Sequence, residues 1–445
     1  MHVLPNNKGN TLIGILIAIG ILTILTAVII GLVATIYQLT GFTKARTTAK
    51  HLAQERIEVI RNMTYEDVGT VGGIPSGSIQ QDENISRNGQ NYRVKTVIVY
   101  VDDLFDEVAP TDTEPTDYKK VSVTVTWGNI VEPVNPIVLT TNISSTAYNL
   151  TDSTGTLTIN VFDSNGLPIP LADVSVYSDA VTPIVDLDPQ TDLNGKVELP
   201  GTPICINCYQ ITVTMDGYST DRTYSDIEVT NPAKPHATVL ENDLTELSFS
   251  IDELSDVNIT TYGSRGSGFP LSGNVAFRMH GDKLIGTDTN NDPVYKYDNN
   301  HATDGAGSVA IEDLEWDNYT IILDSPLTVS GSVPIMPFQL LPLTTLDLTL
   351  STDQLTDHSI LFIFTDNFHI PIQDVSATIT SYDNPGTEYN GLSGLDTNPD
   401  WGHLLFNSLD EGNYRLDATA SGYLDLSTDV YVTSQVRDEY SMQPE

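Results

Sequence analysis

The longest unbroken apolar stretch of the chain is Thr11–Leu39, dominated by Ile, Leu, Val and Ala, and no charged residue occurs from Gly9 to Thr43. A bilayer-spanning helix needs about 20 apolar residues, whereas the apolar part of a cleaved secretory signal has about 7 to 15. The segment therefore predicts a membrane span, placed at residues 10–40. Beyond it the pattern changes without a break. Phe42, Ala45, Ala49, Leu52, Ala53, Arg56, Ile57, Ile60 and Met63 recur at steps of three and four, with Lys50, Gln54, Glu55 and Glu58 between them. That spacing is one apolar stripe on a helix, so a single helix over 10–63 is expected to leave the membrane and pack on the protein's own body.

The period then shortens to two. Tyr92–Val101 and Lys119–Trp127 alternate branched and polar residues, as antiparallel strands with one wet face do. Asn88-Gly89 between Ile85 and Tyr92 marks a hairpin turn. The Gly- and Pro-rich stretch Tyr65–Gly77 and the acidic, proline-containing stretch Asp102–Asp117 read as loops, and Pro133–Ser145 as the way out of a small β head at 64–145.

Three degenerate copies of one text follow. Leu157–Asp163, Gly166-Leu167-Pro168-Ile169-Pro170, Val174–Tyr177, Thr191–Gly195, Tyr209–Thr214 and Gly217-Tyr218 make the first. Phe269–Leu271, Val275–Phe277, Thr303–Gly307 and Asp317–Ile321 make the second. Ile360–Phe364, Pro371–Ile372, Val375–Ile379, Gly412–Leu416 and Gly422-Tyr423 make the third. Equivalent tyrosines, Tyr209, Tyr319 and Tyr414, recur about 100 residues apart, the size of one β-sandwich. The expected domains are 150–240, 244–345 and 346–445. The fold class is mainly β with one long N-terminal helix: helix plus small antiparallel sheet, then a row of Ig- or transthyretin-like sandwiches.

Composition narrows the function. The net charge is −39, yet 40% of residues are hydrophobic, so the chain has core material and is not a disordered acidic tail. Its first carboxylate is Glu55. Such a body repels phosphates, which excludes nucleic acid as a partner; it suits solubility, divalent cations or basic partners. Lys8 precedes the span, and Lys44, Arg46 and Lys50 follow it. Counted by the positive-inside rule, these cations put the C-terminus in the cytoplasm. The short N-terminal tail and the extracellular character of the β domains point the other way, to a single-pass protein of the cytoplasmic membrane with its body outside.

Lys8-Gly9-Asn10-Thr11-Leu12-Ile13 resembles the processing site of type IV prepilins, a short leader ending in a basic residue and glycine before a long apolar helix. Ala49–Glu58 resembles the amphipathic half of the same helix. The resemblance covers about 60 residues. It implies a leader at 1–9, cleavage by a prepilin peptidase between Gly9 and Asn10, methylation of the new amine on Asn10, and assembly with other pilin or pseudopilin subunits on an inner-membrane platform. In two respects the chain departs from that pattern. The fifth residue after the cut, glutamate in most of the family, is Gly14 here, and Gly31 stands where many relatives carry proline. That carboxylate is thought to pair with a neighbour's N-terminal amine, so its loss fits a minor, tip-located subunit of a type IV pilus or type II secretion-like filament. The three copies resemble the carboxypeptidase regulatory-like, transthyretin-like sandwich, an accessory or adhesive module, which implies adhesin or spacer domains and an unknown surface ligand. The other reading is a monomeric surface binding protein on an uncleaved anchor.

No catalytic constellation is present: there is no His-Glu-x-x-His, no Gly-x-Ser-x-Gly and no phosphate loop. The expectation is a non-enzyme without cofactor. Cys205-Ile206-Asn207-Cys208 precedes a strand rather than a helix, which leaves a disulfide outside the cell, free thiols, or metal or redox work. Asp288, Asn290 and Asp292 alternate hard oxygen ligands as calcium prefers, without the glycine or closing glutamate of an EF-hand; a solvated loop has the same text.

Overall fold

The computed structural model describes residues 10–103, 107, 109, 111–112, 116–128, 136–144, 154–384 and 386–445, with side chains from Leu16 onward. One helix, α1, runs from Asn10 to Arg61. Its last turns cover a four-stranded antiparallel sheet of β1 (Asp82–Arg87), β2 (Gln90–Val101), β3 (Tyr118–Trp127) and β4 (Ile137–Ser144), in that spatial order. The stripe is the contact face. Ala49, Leu52, Ala53, Ile57 and Ile60 are buried against Tyr92, Val94, Ile98, Val121, Val123 and Val125. The alanines let helix and sheet approach closely, and each buried Ile, Leu or Val contributes about 1.5–3 kcal/mol. Phe42 reaches Trp127, ring centroids 6.0 Å apart. Asn88 and Gly89, both at positive φ, close the β1–β2 hairpin with Arg87 opposite Gln90.

The segment Pro133–Ser145 does not simply lead out of the head. Its residues 137–144 form the edge strand β4, whose inward positions include Ile137, Leu139 and Ile143.

Three units of like topology follow. In each, a first strand pairs in parallel with the last strand and antiparallel with a middle one. The first strands are Thr154–Phe162, Ser255–Tyr262 and Ser359–Thr365, and their parallel partners are Leu244–Ser250, Thr345–Gln354 and Gln435–Ser441. Their antiparallel partners are Lys196–Pro203, Ser308–Leu314 and His403–Asn407. The facing sheets are built around Asp173–Ser178 with Cys205–Thr214, Ala276–Gly281 with Asp317–Leu323, and Ser376–Ser381 with Gly412–Thr419. Inward side chains of both sheets share one core per unit, for example Leu157, Ile159 and Val161 with Val174, Ile211 and Val213. Such alternation is what a two-sheet core requires.

This pairing corrects two boundaries. Leu244–Ser250 pairs with the first strand of the first sandwich and Thr345–Gln354 with that of the second, whereas the expected bounds 244–345 and 346–445 put the first of these and nearly all of the second in the following domain. The text ends at Gly-Tyr, and the closing strand that returns to the first carries no such signature.

Candidate assembly helix and sandwich joints

The N-terminal part of α1 leaves the body altogether. Leu16, Ile17, Ile21, Ile24, Val28, Leu32, Ile36 and Leu39 are all exposed. From Asn10 to Thr43 the helix is about 50 Å long at 1.5 Å per residue, more than the 30 Å hydrocarbon core it would cross. Four of its threonines are already satisfied. The hydroxyls of Thr23, Thr26, Thr35 and Thr40 donate to the carbonyls of Ile19, Leu22, Gly31 and Ile36 at 2.7–2.9 Å. Threonines bonded in this way stand in an apolar medium without an orphaned donor. Asn10, the residue expected at the new terminus, is the first residue of the helix; Gly9 and the leader lie outside the described residues.

The body is fastened at three joints. The loop Tyr65–Gly77 reaches from the head into the first sandwich, where Ile74 joins its core. Asp186 donates its N–H to Gly72 O at 2.6 Å, and Gln81 Nε2 donates to Asp186 O at 2.7 Å. The loop folds tightly on itself: a Cβ on Gly69 would stand 2.2 Å from Ser76 O, so only glycine fits there. Lys119 lies beneath it, buried, with Nζ donating to Tyr65 O at 2.7 Å and Val68 O at 2.8 Å and facing the Tyr65 ring. Burial pulls its pKa down to about 8, against the nearby carboxylates of Glu66 and Asp67.

Between the first and second sandwiches, Asn231–Pro232 pairs with Leu284–Thr287, which pairs with Pro293–Tyr295. Ala233 also donates its N–H to Ile285 O at 2.9 Å. Lys283 and Lys296 both hold Glu315, at 2.8 and 2.6 Å, beside a cleft of about 200 Å³ shared with Asp221 and Lys234 of the first sandwich.

The second and third sandwiches meet flank to flank, strand Leu327–Val333 lying along His403–Asn407. A Cβ on Gly331 would stand 2.5 Å from Asp400 Cα. Arg265 of the second sandwich donates Nε to Asp400 Oδ2 at 2.7 Å, and its other nitrogens to Leu392 O and His403 O. Arg437 of the third donates back to Met336 O. His403 is buried, its Nδ1 2.7 Å from Trp401 O, and burial drives its pKa down to about 4, with Arg437 and Arg265 adding to the shift.

The remaining residues singled out in the sequence fall at the start of a strand and on a turn. Cys205 and Cys208 open the strand Cys205–Thr214, their sulfurs joined and their Cα atoms 6.0 Å apart. Asp288 Oδ1 accepts the N–H groups of Asn290 at 2.8 Å and Asp292 at 2.9 Å. The same bonds to the second and fourth following residues recur at Asp163, Asp192, Asp304 and Asp366. The Asp288 carboxylate thus holds its own turn, as Asp does in many tight loops. Among the described residues no group of three or more His, Cys, Asp or Glu is placed to hold a metal. The joints escaped the sequence reading, because a contact between residues 135 positions apart leaves no local pattern.

No protein-family model and no curated protein matches the chain. Among solved structures it is similar to the Bacillus anthracis TIE protein, at 14% identity and TM-score 0.19, over 82% of this chain and 61% of that one. It is also similar to a streptococcal ancillary pilin (14%, 0.18, over 65% and 99%) and to GBS52, the minor pilin of Streptococcus agalactiae (12%, 0.22, over 45% and 97%). At such identities and TM-scores these likenesses carry no inference to the present chain.

Proposed function

We propose that the chain is a non-enzymatic, membrane-anchored pilin-like subunit that carries three β-sandwiches on the outer side of the cytoplasmic membrane. One observation carries the reading: a single uninterrupted helix whose apolar side chains from Leu16 to Leu39 are uncovered, and whose last turns are docked on a four-stranded antiparallel head. A helix of this kind needs lipid, or the same segment of other subunits, around it. The Lys8-Gly9 context supports cleavage before Asn10 by a prepilin peptidase, with methylation of the new amine and assembly with other subunits on a membrane platform. The missing carboxylate at Gly14 and the bulk of three jointed sandwiches support a minor place at the tip of a type IV pilus or related secretion filament. There no further subunit has to be recruited or accommodated above it.

Mass spectrometry of the membrane-extracted protein tests processing. A mature chain starting at Asn10, and loss of cleavage in Gly9→Leu, are the expected results; an intact Met1 on protein from sheared filaments overturns the pilin reading. Immunogold against residues 359–441 tests position, and dense labelling along whole shafts would reject the tip.

A further inference from the structure

In a chain with 59 carboxylates and 20 Lys and Arg, almost every cation is engaged. Among the described residues, the other Lys and Arg side chains hold an ion pair or donate to a carbonyl. The exceptions are Lys44, Arg46, Lys50 and Lys120, and three of these four fall within seven residues of α1. All three are exposed. No carboxylate precedes them in the chain, and the first one after them, Glu55, faces Arg87 at 3.8 Å.

Their place on the helix is specific. At 100° per residue they lie off the face that Ala45, Ala49 and Leu52 turn to the head, so they form a collar around the free sides of the helix. Along the axis they stand about 8 to 16 Å beyond Leu39, from the outer edge of a head-group layer about 5 to 8 Å thick outwards, with Lys44 nearest to it. The collar also runs against the positive-inside rule, which makes cations on this side of a span costly to topology.

We infer that Lys44, Arg46 and Lys50 are a binding collar for the phosphates of anionic phospholipids in the leaflet that faces the body. Charge complementarity selects the occupant. Among the described residues no carboxylate of the chain pairs with any of the three, and a second copy at the same depth presents its own three cations, so the phosphate layer is the anion that the bilayer itself supplies. The collar thereby fixes how far the helix is drawn out of the bilayer and holds the acidic body, which lipid phosphates repel, at a set height. This inference rests on α1 spanning the membrane.

The test uses the full chain reconstituted in phosphatidylcholine vesicles containing trace spin-labelled phosphatidylglycerol or phosphatidylcholine. The ratio of the two immobilised lipids is read by electron spin resonance. With each basic residue near a charged surface amounting to about a fivefold preference, the wild type is expected to select phosphatidylglycerol about fivefold or more at low salt. The preference should shrink as salt is raised. The variant Lys44→Gln/Arg46→Gln/Lys50→Gln is expected to bring the ratio to about one, and Lys120→Gln, on the head, to leave it unchanged. Equal immobilisation of both lipids by the wild type, or an unchanged ratio in the triple variant, overturns the collar while leaving the span intact. Immobilisation of neither lipid overturns the span, and the collar with it.

Discussion

Arg265 and Asp400, 135 positions apart, meet at 2.7 Å across the flank of two sandwiches, and the carboxylate is only 4% exposed. Burial raises the Asp400 pKa and Arg265 opposes the rise. The second oxygen, Oδ1, is buried without a partner, so the guanidinium is what makes the charge tolerable there. Arg265→Ala should cost about 2–3 kcal/mol, less than the 3–5 of a fully enclosed pair because Arg265 is 39% exposed. Adding Asp400→Asn should return part of the loss. Urea unfolding of the detergent-solubilised chain measures both; equal midpoints for wild type and Arg265→Ala would show that the pair holds nothing.

His403 makes the same flank sensitive to acid. Its folded pKa, near 4, lies below the ordinary 6.5, so between those values the unfolded chain binds the extra proton. Stability is therefore complete above pH 6.5 and falls as the pH drops towards 4, by at most about 1.4 kcal/mol per pH unit. Asp400, whose pKa is raised, works in the opposite sense, since its folded form holds its proton more tightly. His403→Asn separates the two: its amide nitrogen stands where Nδ1 did and can still donate to Trp401 O, and unfolding midpoints at pH 7 and 5 should draw together. An unchanged slope would assign the acid effect elsewhere.

Tyr209, Tyr319 and Tyr414 are fully buried, and their hydroxyls donate to Pro203 O, Glu315 O and Asp410 O at 2.6–2.9 Å. Tyr→Phe at each keeps the ring and orphans a carbonyl, so each substitution should lower stability by about 1–2 kcal/mol. Calorimetry on the three single variants would detect this. A neutral result at one site would mark that carbonyl as hydrated.

The Cys205–Cys208 bridge closes a very short loop. Chain-entropy reasoning gives it about 2 kcal/mol, less than longer bridges provide. Protein taken from its native compartment should resist alkylation at both sulfurs until reduced. Ready labelling of both would remove the bridge from the account.

What was legible in the sequence follows from locality. Helix α1, its buried stripe, the Asn88-Gly89 hairpin and the repeated tyrosines were readable because period and turn chemistry are written within a few residues. Strand β4 was hidden: its outward positions are Val138, Thr140, Asn142 and Ser144, and Pro136 adjoins it, so the polar, proline-flanked text looks like a loop. The closing strands were assigned one unit too late for the reason already given, that parallel pairing with a strand some 90 residues earlier leaves no local mark. Asp288-x-Asn290-x-Asp292 has two physical meanings, cation ligand or self-bonded turn. The four sister turns supply the second, and their recurrence is itself visible in the sequence. The clamp of Arg265 on Asp400 lay beyond any pattern reading.

Parallel pairing of first and last strands has a mechanical consequence. In the first sandwich the chain enters at Thr154 and leaves at Ser250, at opposite ends of two neighbouring strands joined over seven consecutive residue pairs, Leu244 with Thr156 to Ser250 with Phe162. The second repeats this with Asp256–Tyr262 against Thr345–Ser351. Tension between a membrane anchor and a load on the far sandwich pulls such strands past one another along their length. The whole ladder must then yield at once, whereas an antiparallel terminal hairpin would open one rung at a time. A chain wired in this way should yield only at high force when it is pulled from its two ends.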